Sequence, residues 1–148
     1  MQIFLIANNA KIPNDIFTYI NELEEEKIIV QFNHMQHIDK IDANYLFIRK
    51  NIFIKKNKIN DKTIIFTFDD DKTLENYSKK YKPTIGFIAL NYFLQNNKNN
   101  KNNKNNKNNK ITLVGFTLYE LQESHVHDLH YEKNFIDQLV KNNTIKII

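Results

Sequence analysis

The sequence predicts an α/β protein with a mostly parallel sheet and helices on both faces, in a single domain that covers residues 1–148. Short apolar runs rich in β-branched residues alternate with segments whose apolar residues have helical spacing. The runs are apolar almost throughout, as in strands that are covered on both faces. A chain of 148 residues, 41% hydrophobic and 26% charged, also has the size and balance of one globular domain.

Each predicted element follows from its own pattern. Residues 3–6 are apolar throughout, which is typical of a buried strand. Residues 13–26 follow, with apolar side chains from Ile16 to Leu23 at the spacing of one helix face. The same patterns predict the remaining strands at 27–32, 45–48, 63–68, 111–114 and 144–148, and the remaining helices at 71–81, 84–95 and 131–141. This alternation favours a Rossmann-like arrangement, in which ligands bind at the carboxyl ends of the strands.

Residues 96–110 are a low-complexity tract of ten asparagines and five lysines. The tract has no apolar residue to bury, so we expect a disordered insertion in a surface loop. Removing its five lysines changes the formal net charge from +4 to −1. The basic character therefore belongs to the tract, and the sequence predicts no nucleic-acid partner.

Composition excludes several classes of protein. The chain has no cysteine, which excludes a disulfide scaffold and a cysteine-ligated zinc site. No apolar run approaches the roughly 20 residues of a membrane span, so we expect no integral membrane segment. The N-terminus lacks the basic region of a signal peptide. We therefore expect a soluble, cytoplasmic protein.

The segment from Pro83 to Gly86 precedes an apolar helix and uses one of only two glycines in the chain. Thr84 can cap this helix, and Gly86 has no side chain to keep an anionic ligand from the first-turn amides. The segment therefore predicts either a carboxylate or phosphate site, or an ordinary capped helix with a packed glycine.

Three histidines, His125, His127 and His130, lie within six residues. His127 precedes the last helix, and its ordinary pKa near 6.5 suits a general base. Glu132 is placed to orient the loop or to cap the helix. A nitrogen-rich metal site and three surface histidines are the alternatives that the spacing leaves open.

Polar side chains also follow the first two strands. Asn8 and Asn9 come after the first strand and Asn33 after the second, while Gly115 follows the strand at 111–114. Amide side chains both donate and accept hydrogen bonds, so they suit a polar ligand at this edge of the sheet.

Taken in order, these segments resemble the sialyltransferases of glycosyltransferase family 29, in a compact bacterial form. Residues 4–9 with 29–33 resemble the long sialylmotif, and residues 82–86 resemble the short one. Residues 113–116 resemble the strand and turn that follow it, and residues 127–132 match the very short motif, His-x-x-x-x-Glu. Residues 34–82 are much shorter than the family's middle region.

The resemblance implies an inverting transferase that moves a sialic acid or related sugar from a CMP-sugar donor to a glycan or lipooligosaccharide hydroxyl. It implies no metal ion and no other cofactor. In that reading His127 is the catalytic base, and Glu132 and His125 support it. The implied donor-binding residues are Asn8, Asn9, Asn33, Thr84, Gly86 and Gly115. A nucleotide-sugar-binding protein without transfer activity and a metal-dependent hydrolase that uses the histidine cluster are the alternative functions.

Overall fold

The computed structural model describes residues 1–9, 11–34, 36–53, 59–69, 74, 76–100, 109–116 and 126–148. These residues form six strands and three helices. The strands are β1 (Gln2–Ile6), β2 (Lys27–Phe32), β3 (Tyr45–Arg49), β4 (Ile64–Phe68), β5 (Lys110–Val114) and β6 (Ile145–Ile147). The helices are α1 (Asn14–Glu22), α2 (Ile85–Asn100) and α3 (Leu129–Lys141).

The strands form one sheet in the order β4-β3-β2-β1-β5-β6, and every neighbouring pair is parallel. This confirms the predicted fold class, a parallel α/β sheet. The order of strands reverses beside β1, whose neighbours are β2 and β5. In such sheets, the loops at the carboxyl ends on either side of this reversal leave a crevice.

Helix α1 covers one face of the sheet. Because successive side chains of a strand point to opposite faces, Phe4 and Ile6 of β1 point to α1 and pack with its Phe17 and Ile20. Each of these side chains is at most 3% exposed. Burying a side chain of this size stabilises the fold by about 1.5–3 kcal/mol.

Helices α2 and α3 contribute to the core on the opposite face. Ile3 and Leu5 of β1 lie in one buried cluster with Leu90 of α2 and Ile136 of α3. Helices therefore cover both faces of the sheet, as the alternating pattern predicts. No helix in the described part of the chain is long and apolar enough to cross a membrane.

Two helix predictions need correction. The first helix ends at Glu22 rather than at residue 26, and the Lys27 ammonium group binds the carbonyls of Asn21 and Leu23 at its end. No helix forms in the described residues of the segment 71–81, where Tyr77 instead packs against Phe87 of α2.

The predicted boundary of the Asn/Lys tract is also wrong. Helix α2 continues through its first residues to Asn100, and β5 begins at its last residue, Lys110. The side chains of Asn97 and Asn109 hydrogen-bond to each other at 2.9 Å. The expected disorder thus fails at the two ends of the tract, and residues 101–108 lie outside the described residues.

Candidate functional site

The candidate site lies at the carboxyl edge of the sheet. Helices of a parallel α/β sheet run opposite to the strands, so their N-termini meet at this edge. The edge collects the residues after β1, β2 and β5 and the residues before α2 and α3. These are the segments in which the sequence places its candidate residues.

The three candidate asparagines connect neighbouring loops. The Asn8 amide donates to the carbonyl of Phe32 at 2.9 Å, and the Asn9 amide donates to the carbonyl of Gly115 at 3.1 Å. The Asn33 side-chain oxygen accepts from the amide of Arg49 at 3.2 Å. These bonds connect the carboxyl ends of neighbouring strands, which is a structural role that the sequence did not predict.

Both glycines are explained by packing. Gly115 has a φ of +68°, and a Cβ there would lie 2.4 Å from the Ile12 side chain. A Cβ on Gly86 would lie 2.9 Å from the Phe116 ring. The side of Gly86 that we expected to admit a ligand is thus covered by an aromatic ring, which supports the alternative of a capped helix with a packed glycine.

Thr84 caps α2, as predicted, and it binds an anion that comes from within the chain. Its hydroxyl accepts from the amide of Phe87 at 3.2 Å, which is an N-cap bond. Its own amide and hydroxyl donate to the two oxygens of the Glu132 carboxylate at 2.7 and 2.6 Å. A carboxylate is favoured at a helix N-terminus by the helix dipole. Glu132 therefore occupies the position in which the sequence predicted the anionic end of a ligand.

Glu132 is fully buried, and Tyr77 completes its surroundings. The Tyr77 hydroxyl donates to Glu132 at 2.8 Å and accepts from the amide of Asp128 at 3.0 Å. Burial raises the pKa of the Glu132 carboxyl, while the hydrogen bonds from Thr84 and Tyr77 oppose that rise. Burial and the charge of Glu132 also raise the pKa of Tyr77, so this hydroxyl remains a donor. No motif points to Tyr77, which is an aromatic residue in an otherwise largely polar segment.

His127 lies beside the segment that leads into α2. Its Nδ1 lies 2.6 Å from the carbonyl oxygen of Lys82. A carbonyl accepts only, so Nδ1 carries the proton, and Nε2 of the neutral ring carries the lone pair. The side chain of Asp128 caps α3 by accepting from the amide of Tyr131 at 3.0 Å. This cap fixes the start of α3, and His127 lies directly before the capping residue.

Only one of the other two candidate histidines lies in the described part of the chain. His130 is exposed on the first turn of α3, and His125 lies outside the described residues. Within the described ranges, no three His, Asp or Glu side chains are placed to hold a metal ion.

Arg49 also lies at this edge, although it belongs to none of the sequence motifs described above. It ends β3, and its guanidinium donates to the carbonyl of Pro83 at 2.5 Å, next to Thr84. Composition could have drawn attention to Arg49, because the other 20 of the 21 basic Lys and Arg residues in the chain are lysines. A planar guanidinium fixes hydrogen-bond geometry better than an ammonium group.

Compared with protein-family models, curated proteins and solved structures, the chain matches none of them.

Proposed function

We propose that the chain is a glycosyltransferase of the sialyltransferase type. It transfers a sialic acid or related sugar from a CMP-sugar donor to a glycan hydroxyl, with inversion at the sugar carbon. The proposal comes from the resemblance of four sequence segments, and the geometry of the carboxyl edge is the support for it.

One observation carries the proposal furthest. The segments that resemble the short and very short sialylmotifs are more than 40 residues apart, yet two pairs of residues join them. Thr84 hydrogen-bonds to Glu132, and the carbonyl of Lys82 binds the His127 ring. Both named residues of the very short motif are therefore engaged by the short motif, as expected if the two segments serve one site.

His127 would act as the general base in this reaction. Its Nε2 accepts the proton of the acceptor hydroxyl while the acceptor oxygen bonds to the sugar carbon and the bond to the CMP phosphate breaks. Nδ1 keeps its proton and donates it in a hydrogen bond to the Lys82 carbonyl, which stabilises the ring as it becomes positively charged. Such a base contributes about 100- to 10,000-fold to the rate.

The roles of the other residues change with the geometry. Because Glu132 occupies the helix N-terminus, Thr84 and Glu132 join the starts of α2 and α3 rather than contact the donor. The donor then relies on the loops after β1 and β2. Asn8 and Asn9 each use an amide N–H within the fold, but an amide NH2 group carries two hydrogens, so each can also donate to a nucleotide.

Calorimetry with CMP, together with an assay of CMP release from CMP-sialic acid, tests the proposal. We expect CMP binding that a chelator does not change, and CMP release that a glycan acceptor accelerates. Binding without release would support the nucleotide-sugar-binding alternative. Hydrolysis that the chelator abolishes would support a metal-dependent hydrolase. A chain that binds neither CMP nor CMP-sialic acid would overturn the proposal.

A further inference from the structure

β4 ends one side of the sheet, and no strand among the described residues pairs with its outer edge. Edge strands of natural proteins usually carry charged residues, proline or a bulge, because an open row of backbone groups pairs readily with another strand. β4 instead reads Ile64-Ile65-Phe66-Thr67-Phe68, and its two isoleucines are 51% and 43% exposed. Such an edge is suited to pairing with a further strand.

The direction of the peptide groups shows which residues of β4 can pair outward. The amide of Ile64 donates to the carbonyl of Asn44, at the start of β3, at 2.9 Å. In a parallel pair, the N–H and C=O of one residue point to the same neighbour, and those of the next residue point away. The N–H and C=O groups of Ile65 and Thr67 therefore point outward.

We propose that the occupant of this edge is a second copy of the chain, with β4 paired antiparallel to β4 about a two-fold axis perpendicular to the sheet. The pairing is centred on Phe66. Ile65 of each copy then lies opposite Thr67 of the other, and the two residues exchange both of their hydrogen bonds. The same patch serves both copies, as a two-fold interface requires.

This register also covers the exposed side chains. Phe66 meets its own counterpart, and Ile64 lies opposite Phe68 of the other copy, on the face that carries α2. Phe66 already contacts Phe47 and Tyr92, with ring centroids 4.9 and 5.1 Å apart. The pairing extends this aromatic cluster across the axis, and cross-strand aromatic pairs of this kind stabilise sheets.

Charge at the two ends of β4 favours a second copy over an arbitrary strand. Lys62 precedes the strand, Asp69 follows it, and both are exposed. Antiparallel pairing brings the Lys62 end of each copy to the Asp69 end of the other. Asp69 pairs with Lys50 of its own chain through Oδ1 at 3.2 Å, and its side chain is 54% exposed, so a lysine of the other copy can approach Oδ2. A parallel alignment would place like charges together.

Sedimentation equilibrium of the whole chain from about 1 to 300 µM tests the proposal first. We expect a monomer–dimer equilibrium. Thr67→Pro removes an outward N–H without removing a bond to β3, and the axis doubles this loss, so the dimer should weaken about tenfold or more. Thr67→Val keeps the N–H and is the matched control, with folding of both variants checked by circular dichroism.

A charge exchange tests the register without changing the backbone. Lys62→Asp and Asp69→Lys should each weaken self-association, because each places like charges across the axis. Mixed together, the two variants should form a heterodimer more tightly than either forms a homodimer. A wild-type chain that stays monomeric, equal behaviour of Thr67→Pro and Thr67→Val, or a mixture that associates no better than its components would each overturn the proposal.

Discussion

His127 is the residue on which the proposed reaction depends most. A base that acts in the transition state contributes to turnover more than to donor affinity. We therefore expect His127→Ala to lower sugar transfer about 100-fold or more, with little change in CMP affinity measured by calorimetry. His130→Ala is the matched control, since His130 is exposed on α3. A dispensable His127 beside an essential His130 would make the motif match a coincidence.

Thr84 tests whether the link between the two motif segments matters for stability. Thr84→Val keeps the shape but removes the hydroxyl that caps α2 and donates to the buried Glu132. We expect the free energy of unfolding, measured with denaturant, to fall by about 1–3 kcal/mol. Thr84→Ser restores the hydroxyl and should recover most of that loss. Equal stability of the valine and serine variants would contradict the role of the hydroxyl.

His37 makes stability depend on pH. It is 2% exposed and packs against Phe17. Burial lowers its pKa, the backbone of Asn9 and Ala7 opposes that shift, and the charge of Lys40 adds to it. As the pH falls below about 6.5, His37 therefore takes up a proton in the unfolded chain before it does so in the folded chain. The contribution of His37 to the free energy of unfolding then decreases by up to about 1.4 kcal/mol per pH unit, until the pKa of the folded chain is reached.

Above about pH 6.5 the contribution of His37 to the free energy of unfolding is constant. Denaturant unfolding at several pH values from about 5 to 8 therefore measures how much of this contribution is lost at low pH. His37→Phe should flatten the profile below pH 6.5. His34→Phe, the same substitution at an exposed histidine, is the matched control. Parallel profiles for the wild type and His37→Phe would show that His37 titrates alike in the folded and unfolded chains.

At the scale of elements, the start of α2 packs directly against Phe116, in the loop after β5. An alanine at position 86 would press on the Phe116 ring. We expect Gly86→Ala to destabilise the fold by about 1–3 kcal/mol. Phe116→Leu should relieve much of this loss, so that the double-mutant cycle shows a coupling energy.

Gly115 provides the control for this cycle. Its φ of +68° and its contact with Ile12 make Gly115→Ala unfavourable for a different reason. Phe116→Leu should therefore not rescue Gly115→Ala. If Gly86→Ala were as stable as the wild type, the packing explanation of Gly86 would be wrong.

Local pattern predicted each strand and helix that the described residues form, but it also predicted a helix at 71–81 that the described residues of that segment do not form. The six strands and the helices α1, α2 and α3 all occur within a few residues of their predicted positions. The sequence predicts the ends of these elements less accurately than their positions. α2 continues into polar residues up to Asn100 because each added residue extends an existing hydrogen-bonded ladder, and this does not require burial.

At the scale of the whole molecule, the sequence predicts several of the residues that reach the site, but it does not predict how they contact each other. The sequence places Thr84, His127 and Glu132 at one edge, since helix N-termini gather there in a parallel sheet. It does not show that Glu132 binds Thr84, because two residues 48 positions apart have no local pattern that pairs them. Tyr77 and Arg49 reach the site through tertiary packing, which periodicity does not encode.

The Asn/Lys tract carries five of the 21 basic Lys and Arg residues of the whole molecule. Replacing residues 101–108 by two glycines removes three lysines and changes the formal net charge from +4 to +1. Loop closure costs change by only about 0.6 kcal/mol per doubling of loop length, and the Asn97–Asn109 contact on either side is kept. We expect the midpoint of thermal unfolding to move by only about 2–4 °C, while isoelectric focusing shows a clear acidic shift. A large drop in the midpoint would mean that the tract contributes to the core.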